Sequence, residues 1–385
     1  MKPYIYSFST IFILIGSLLI GCGPKEKPAN HNGNNSDSLS TDPEIPKTTT
    51  TGSSGVQLIV SANLCKLYQE ADPTSAELGR YPQGSVLIYL DEITTFTTPM
   101  RIQSVDYDEP WVKAKSPDGK EGWIYAGNIR FKGISDTKLA EMVFDRRLYK
   151  IFGKELTTQL KVYQEEMADL QTLPAFRMLF HRSEDLRNKV DEKVNELLAL
   201  ATRDSLPDFF WLNEAFPGFL VHLVKNGTEY RLFRDFRHWA KLAKQTNEAA
   251  DNILIDVYLL AYKSDSIEYL HQDWRMVLSE EETYSLLGRG IHKKVLDRIE
   301  AALQKSADFE PELTKLKQQL LDDISLSNDY WMDKESILAE LDDILKTKYT
   351  IFAKADVVEL QARRKMLATP GKFDLRTNLF EGGGD

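Results

Sequence analysis

Trp111-Val112-Lys113-Ala114-Lys115 and Gly122-Trp123-Ile124-Tyr125, separated by a turn containing Asp118-Gly119, are the stretch that decides the fold. Two β-rich runs on either side of Asp-Gly predict an antiparallel hairpin. Side chains alternate along a strand, so Val112, Ala114 and Ile124 share one parity and are expected in the core. Trp111, Trp123 and Tyr125 then fall on the opposite face and are expected at least partly exposed. Neighbouring exposed aromatics grip extended or glycan ligands. In the competing arrangement they pack against the helical segment that follows.

Working outward, Gln57-Leu58-Ile59-Val60 and Ser85-Val86-Leu87-Ile88-Tyr89-Leu90 read as further short strands between turn residues. Residues 56–132 show no helical periodicity, which predicts a small all-β barrel. Thr94-Thr95-Phe96-Thr97-Thr98-Pro99-Met100 lengthens one loop and is placed to shape or cover a groove.

Leu67-Tyr68 and Pro73-Thr74-Ser75-Ala76-Glu77-Leu78-Gly79-Arg80-Tyr81-Pro82-Gln83-Gly84-Ser85-Val86 resemble the opening of a bacterial Src-homology-3-like (SH3b) domain. Trp111-Val112-Lys113 and Asp118 through Ile129 resemble its closing hairpin. The family's usual Arg after the first Leu is Tyr68 here, and its usual Pro three residues later is Ala71. The resemblance implies an SH3-like barrel that binds peptidoglycan, peptides or protein partners in cell envelopes. With the strand parity, it makes Tyr68, Trp111, Trp123 and Tyr125 the candidate binding residues.

Beyond Ser135 the pattern becomes helical, and residues 134–368 are expected to form a larger all-α domain. Ser183, Asn226-Gly227, and Ser279-Glu280-Glu281-Glu282 read as helix starts. Asp308-Phe309-Glu310-Pro311 opens another helix, with Pro in its first turn. Ile291, Val295, Ile299 and Leu303 make a one-sided apolar stripe, as do Leu313, Leu316, Leu320 and Ile324. The most apolar stretch beyond the leader, Asp208 to Val224, is expected to be core, broken at Pro217-Gly218 and carrying a core His222. Glu229 to Trp239 alternates aromatics with Arg231, Arg234 and Arg237. It is expected as a core-facing helix with its arginines paired to acidic neighbours, or as an anion site.

The chain begins with Lys2 and an apolar run, Ile11 through Ile20, that is short for a membrane span. Leu19-Ile20-Gly21-Cys22 resembles the lipobox of bacterial lipoproteins. That resemblance implies removal of residues 1–21, acylation of Cys22, and attachment in the outer membrane facing the periplasm, since Gly23 follows the cysteine. Residues 22–55, rich in Lys, Pro, Asn, Ser, Thr and Gly, read as a disordered tether with a reach of roughly 30 Å. Residues 369–385 read as a disordered tail.

Of 385 residues, 42% are hydrophobic and 28% charged, and the formal net charge is −10. An acidic chain lacks the basic face that nucleic acid requires. The only cysteines are Cys22 and Cys65, so acylation of the first leaves the second a free thiol. There is no His-Glu-x-x-His, no Gly-x-Ser-x-Gly and no phosphate-binding glycine loop. The helical segment has no cysteine nucleophile, and its histidines are scattered singly. No metal or cofactor is implied. The expectation is a lipid-anchored, non-enzymatic envelope protein that binds peptidoglycan or envelope proteins. The alternatives are a peptidoglycan-active enzyme with a carboxylate-based site in the helical domain, and a small-ligand binder using the aromatic segment.

Overall fold

A computed structural model describes residues 55–134, 137–201, 206–262, 271–278 and 282–369. The signal, Cys22, the tether up to residue 54 and the tail from residue 370 lie outside the described residues, as do residues 279–281 of the proposed capping box. The described residues fall in one compact unit. A β-rich region is followed by a mostly helical one.

The β region comprises β1 (Gln57–Val60), β2 (Leu64–Tyr68), β3 (Glu77–Pro82), β4 (Val86–Ile93), β5 (Thr98–Ile102), β6 (Val105–Glu109), β7 (Trp111–Lys115), β8 (Glu121–Tyr125) and β9 (Ile129–Lys132). Seven of them make one antiparallel sheet in the order β3-β2-β8-β7-β4-β1-β9, and β5 and β6 pair separately. The sheet is open. A closed barrel would require β3 to pair with β9, and each instead ends the sheet, so the expected closed barrel is not formed.

The decisive hairpin has the expected register, Val112 opposite Ile124 and Ala114 opposite Gly122. Its turn is closed by Ser116 N donating to Lys120 O and Gly119 N to Ser116 O, at 2.9 and 3.0 Å. Gly119 sits at φ +85°, a conformation that costs glycine little.

The helical region begins with α1 (Thr137–Ala140) and a π turn, Glu141–Asp145, leading into α2 (Arg146–Ala168). It continues with α3 (Leu173–Ala199), α4 (Leu212–Ala215), β10 (Phe219–Val224), β11 (Glu229–Arg234), α5 (Phe236–Thr246) and α6 (Ala249–Ala261). After β12 (Arg275–Val277) and β13 (Thr283–Ser285) come α7 (Ile291–Lys305), α8 (Glu310–Leu326), α9 (Lys334–Thr347) and α10 (Lys354–Ala368).

The expected all-α domain is therefore interrupted by two antiparallel hairpins, β10-β11 and β12-β13. Asn226-Gly227 is the β10-β11 turn and not a helix start, as Asn-Gly between two β-rich runs allows. Ser183 lies inside α3, and Glu282 leads into a strand. Glu229 to Arg234 is a strand, and α5 starts only after Asp235, whose carboxylate accepts from the backbone N–H of Arg237 and His238. Gly218, at φ +86°, makes the break before β10. Its carbonyl accepts from Trp239 Nε1 at 3.1 Å and from Asp235 N at 2.9 Å.

Other helical expectations hold. Glu310 opens α8 with Pro311 in its first turn, and Leu313, Leu316, Leu320 and Ile324 are all buried. Phe209, Trp211, Leu212, Phe216 and Phe219 are core. One apolar core runs unbroken from the sheet into the helices. Phe131 packs edge-on against Phe144 at 5.8 Å, and Phe144 stacks on Trp211 at 6.3 Å. Among the described residues no helix is long and apolar enough to cross a membrane.

Candidate functional site

The register pairs Trp111 with Tyr125, Lys113 with Trp123, and Tyr68 with Trp123, so all five side chains share one sheet face. Val112, Ala114 and Ile124 point the other way and are fully buried, as their parity requires. The aromatic face, however, is only partly open. Trp111 is 0% exposed and Tyr125 1%, against the expectation that both would be accessible.

The cause is the segment read as a lengthened loop. Residues from Thr98 onward form β5, and the β5-β6 hairpin lies over this end of the face. Trp111 Nε1 donates to Thr98 Oγ1 at 2.9 Å, and the Tyr125 hydroxyl donates to Thr98 O at 2.5 Å. Trp111 N donates to Thr94 Oγ1 at 2.9 Å, and Glu109 N donates to the Tyr125 hydroxyl at 3.1 Å. Burial pushes the Tyr125 phenol well above its ordinary range. Both polar tips are thus satisfied internally.

What remains accessible is the other end. Tyr68 and Trp123 are half-buried. Tyr68 packs edge-on against Trp111 at 5.6 Å, and Trp111 against Tyr125 at 5.4 Å. Lys113 Nζ lies 6.0 Å from the Trp123 ring centre and pairs with Glu92 at 2.6 Å. Tyr68, Lys113 and Trp123 form a small amphipathic surface, flanked on the same face by the buried Trp111 ring.

A charged pair that gave no sequence signal fixes this face to the helical region. Arg147, at the start of α2, donates to Glu109 Oε1 from Nε at 2.5 Å and to Oε2 from Nη2 at 2.7 Å. Nη2 also reaches the carbonyls of Ala126 and Ile129, at 2.9 and 3.3 Å. The guanidinium lies 5.7 Å from the Tyr107 ring centre and 5.0 Å from that of Trp211. Burial disfavours its charge, yet the adjacent Glu109 carboxylate holds its pKa above the ordinary value.

A second polar seam joins α3 to β11. Asp191 Oδ1 accepts from Leu232 N at 2.9 Å, and Arg187 Nη1 donates to Leu232 O at 3.4 Å. Asn195 accepts from Tyr230 N and donates to Tyr230 O, at 2.9 and 2.8 Å. Four helical residues rise roughly 6 Å and two strand residues roughly 7 Å, so side chains spaced by four meet alternate strand residues. The helix covers an edge that would otherwise be free to pair.

Ser285, Asp323 and His292 bring hydrolase residue types together, but in the wrong order. Asp323 Oδ2 takes both the Ser285 hydroxyl at 2.6 Å and His292 Nε2 at 2.9 Å. Both ring and hydroxyl are thus spent on the carboxylate, no hydrogen bond joins His292 to Ser285, and the histidine is 0% exposed. Arg275 Nε completes the cluster on Asp323 Oδ1 at 2.7 Å. Burial opposes the Asp323 charge, but hydrogen bonds led by His292 hold its pKa below the ordinary value. This is a structural knot beneath β13.

The three arginines of the expected anion site do not converge. Arg231 is exposed beside Glu229, Arg237 is exposed on α5, and only Arg234 turns inward, to Glu184. His222 is half-buried on β10 with its ring 5.8 Å from that of Phe233, and burial pushes its pKa down. Cys65 is a buried free thiol pushed up to about 12 by burial, which makes it a poor nucleophile. Comparison with family models and with curated proteins gives no match for this chain.

Proposed function

We propose that this chain is a lipid-anchored protein of the bacterial envelope that binds a partner and does not catalyse. Cys22 is the lipidated residue, the outer membrane is the site of attachment, and the tether carries the folded unit into the periplasm. The β region is read as an SH3b-like unit opened between β3 and β9. Its partner is peptidoglycan, a peptide or an envelope protein, bound at Tyr68, Trp123 and Lys113.

The observation that carries this reading is the state of the aromatic face. One end is sealed by β5-β6, and the other presents Tyr68 and Trp123 half-buried on rigid strands. Rigid aromatics with few rotatable bonds are efficient contacts. Co-sedimentation of the mature protein with purified peptidoglycan sacculi, alongside pull-down from native membranes, tests the proposal. Wild type is expected to be retained and Trp123→Ala to be lost from the same partner. Equal retention of both proteins removes Trp123 from the site, and release of soluble fragments from sacculi assigns the chain to hydrolysis instead.

A further inference from the structure

A cleft of about 600 Å³ opens in the helical region, away from the aromatic face, between α3, β11, α5, α6 and α8. Sites for small ligands usually measure about 300–1,000 Å³. One wall is aromatic. Phe236, at the start of α5, packs on Tyr258 of α6 at 4.7 Å and on Tyr262 at 5.4 Å. The three ring planes lie within 32° of one another. All three residues line the cleft and are half-buried.

The charges around this wall are already matched within the protein. Glu184 takes Arg187 Nη2 on Oε1 at 2.6 Å and Arg234 Nη2 on Oε2 at 3.0 Å. Burial opposes its charge, yet Arg234 and Arg187 hold its pKa below the ordinary value. Glu312 lies against His181 at 2.8 Å. Asp185 and Lys315 are exposed at the rim, where water solvates them. The buried charges of the cleft therefore have their partners and call for no counter-ion.

What stays open is neutral. The Tyr258 hydroxyl and the Gln319 side-chain amide belong to the lining, and among the described residues neither has a hydrogen-bond partner. Neither polar tip is sealed from solvent. Burial raises the Tyr258 phenol, which keeps it a neutral hydroxyl. The Glu184 side chain is 41% exposed, and each of its oxygens keeps a lone pair beyond the one its arginine takes. The cleft thus offers a fixed acceptor, two groups that both donate and accept, and an apolar wall of stacked rings.

Complementarity selects the ligand. A cation would find a carboxylate that two arginines already hold, and an anion would approach that same carboxylate. A flat aromatic molecule would use the wall and leave the hydroxyl, the amide and Glu184 unpaired. A sugar ring carries hydroxyls that donate and accept at its edge, and a face of C–H bonds that packs on aromatic rings. We infer that this cleft binds a neutral sugar, its C–H face on the Phe236 wall and its hydroxyls on Glu184, Tyr258 and Gln319. The site is independent of the aromatic face of the sheet and of any envelope partner bound there.

Calorimetric titration of the mature protein tests this, with D-glucose, N-acetyl-D-glucosamine and their β-1,4-linked di- and tetrasaccharides as probes. At least one is expected to bind with Kd below about 1 mM. Sorbitol has hydroxyls without a ring face, and N-acetyl-L-tryptophanamide has a flat ring without hydroxyls. Both are expected to bind at least about tenfold more weakly than the best sugar. Phe236→Leu keeps an apolar side chain and removes the ring, while Gln319→Ala breaks no internal hydrogen bond, so both should melt near wild type. Phe236→Leu is expected to weaken the best sugar about tenfold and Gln319→Ala at least about threefold. Failure of every sugar to bind, sorbitol or the aromatic probe binding equally well, or unchanged affinity in either variant overturns the assignment. So does D-glucuronate binding more tightly than every neutral probe. None of these results decides the aromatic-face proposal, which is read at Trp123.

Discussion

The Arg147 guanidinium and the Glu109 carboxylate meet in two hydrogen bonds of 2.5 and 2.7 Å, with each side chain 1% exposed. One stands at the end of β6 and the other at the start of α2, so the pair joins the β region to the helical region. Both charges are also held by their surroundings, Arg147 through two backbone carbonyls and two aromatic rings. A buried pair of this kind adds little over well-packed apolar residues, but removing one member strands the other charge.

Arg147→Met is therefore expected to destabilise the fold by about 3–5 kcal/mol, as is Glu109→Leu alone. The double variant should recover a large part of that loss, because no uncompensated charge remains. Denaturant melts of the four proteins measure the coupling. Strictly additive single-variant losses would mean the two residues act independently.

The aromatic face separates binding from packing. Trp111 and Ile124 are both 0% exposed, so Trp111→Ala should cost about 3–5 kcal/mol of stability and Ile124→Ala about 2–5 kcal/mol. Trp123 is half-buried, and Trp123→Ala should melt nearer to wild type while costing partner affinity of order 2 kcal/mol. A Trp123→Ala protein that melts as early as Trp111→Ala would make Trp123 a packing residue and end the binding-face proposal.

Period-2 alternation was legible wherever a strand had one buried face, which is why Val112, Ala114 and Ile124 were placed in the core from their parity alone. The same alternation says nothing about what covers the second face. Trp111 and Tyr125 are covered by the β5-β6 hairpin, whose Thr- and Pro-rich start reads as a loop although Met100, Ile102, Val105 and Tyr107 alternate with polar residues. Between Glu229 and Trp239, three-residue spacing of aromatics resembled a helix. The Asn226-Gly227 turn before it was the stronger, hairpin signal. Glu109, Arg147, Asp191 and Asn195 left no trace, since a polar residue's partner across the fold is set by tertiary geometry.

Cys65 should be silent toward alkylating agents in the native protein. Its thiol is buried and pushed up to about 12, so almost no thiolate exists at neutral pH. Iodoacetamide followed by intact-mass measurement is expected to leave Cys65 unmodified without denaturant and to modify it fully once unfolded. Rapid native labelling would show that this part of β2 opens readily.

Lipidation is tested separately, at Cys22. Cys22→Ser should abolish the mass increment of the acyl chains and leave an uncleaved or soluble form. Several buried acyl chains, at about 0.8 kcal/mol per methylene, otherwise make attachment effectively permanent. Normal processing and detergent partitioning of the variant would overturn the lipobox reading.

Asp191 sets a pH dependence of defined sign. Burial raises its carboxyl from an ordinary value of 3.8 to about 6, even though Leu232 N and Arg187 favour the charged form. The folded state therefore holds this proton more tightly than the unfolded state does. The associated stability is fully present below about pH 4 and is lost as pH rises through 6. A shift of this size corresponds to about 2–3 kcal/mol at most. Asp191→Asn can keep an oxygen acceptor for Leu232 N and cannot ionise. The variant should match wild type near pH 4 and exceed it at pH 7.5, with the difference growing between those limits. Glu214, Asp208 and Asp251 are also raised by burial, but they contribute equally to both proteins and cancel in the difference. Urea melts of the pair across this range measure it directly. A wild-type-minus-variant difference that stays flat with pH would mean that Asp191 ionises in the fold as it does in the open chain, and that the α3-β11 seam is solvated.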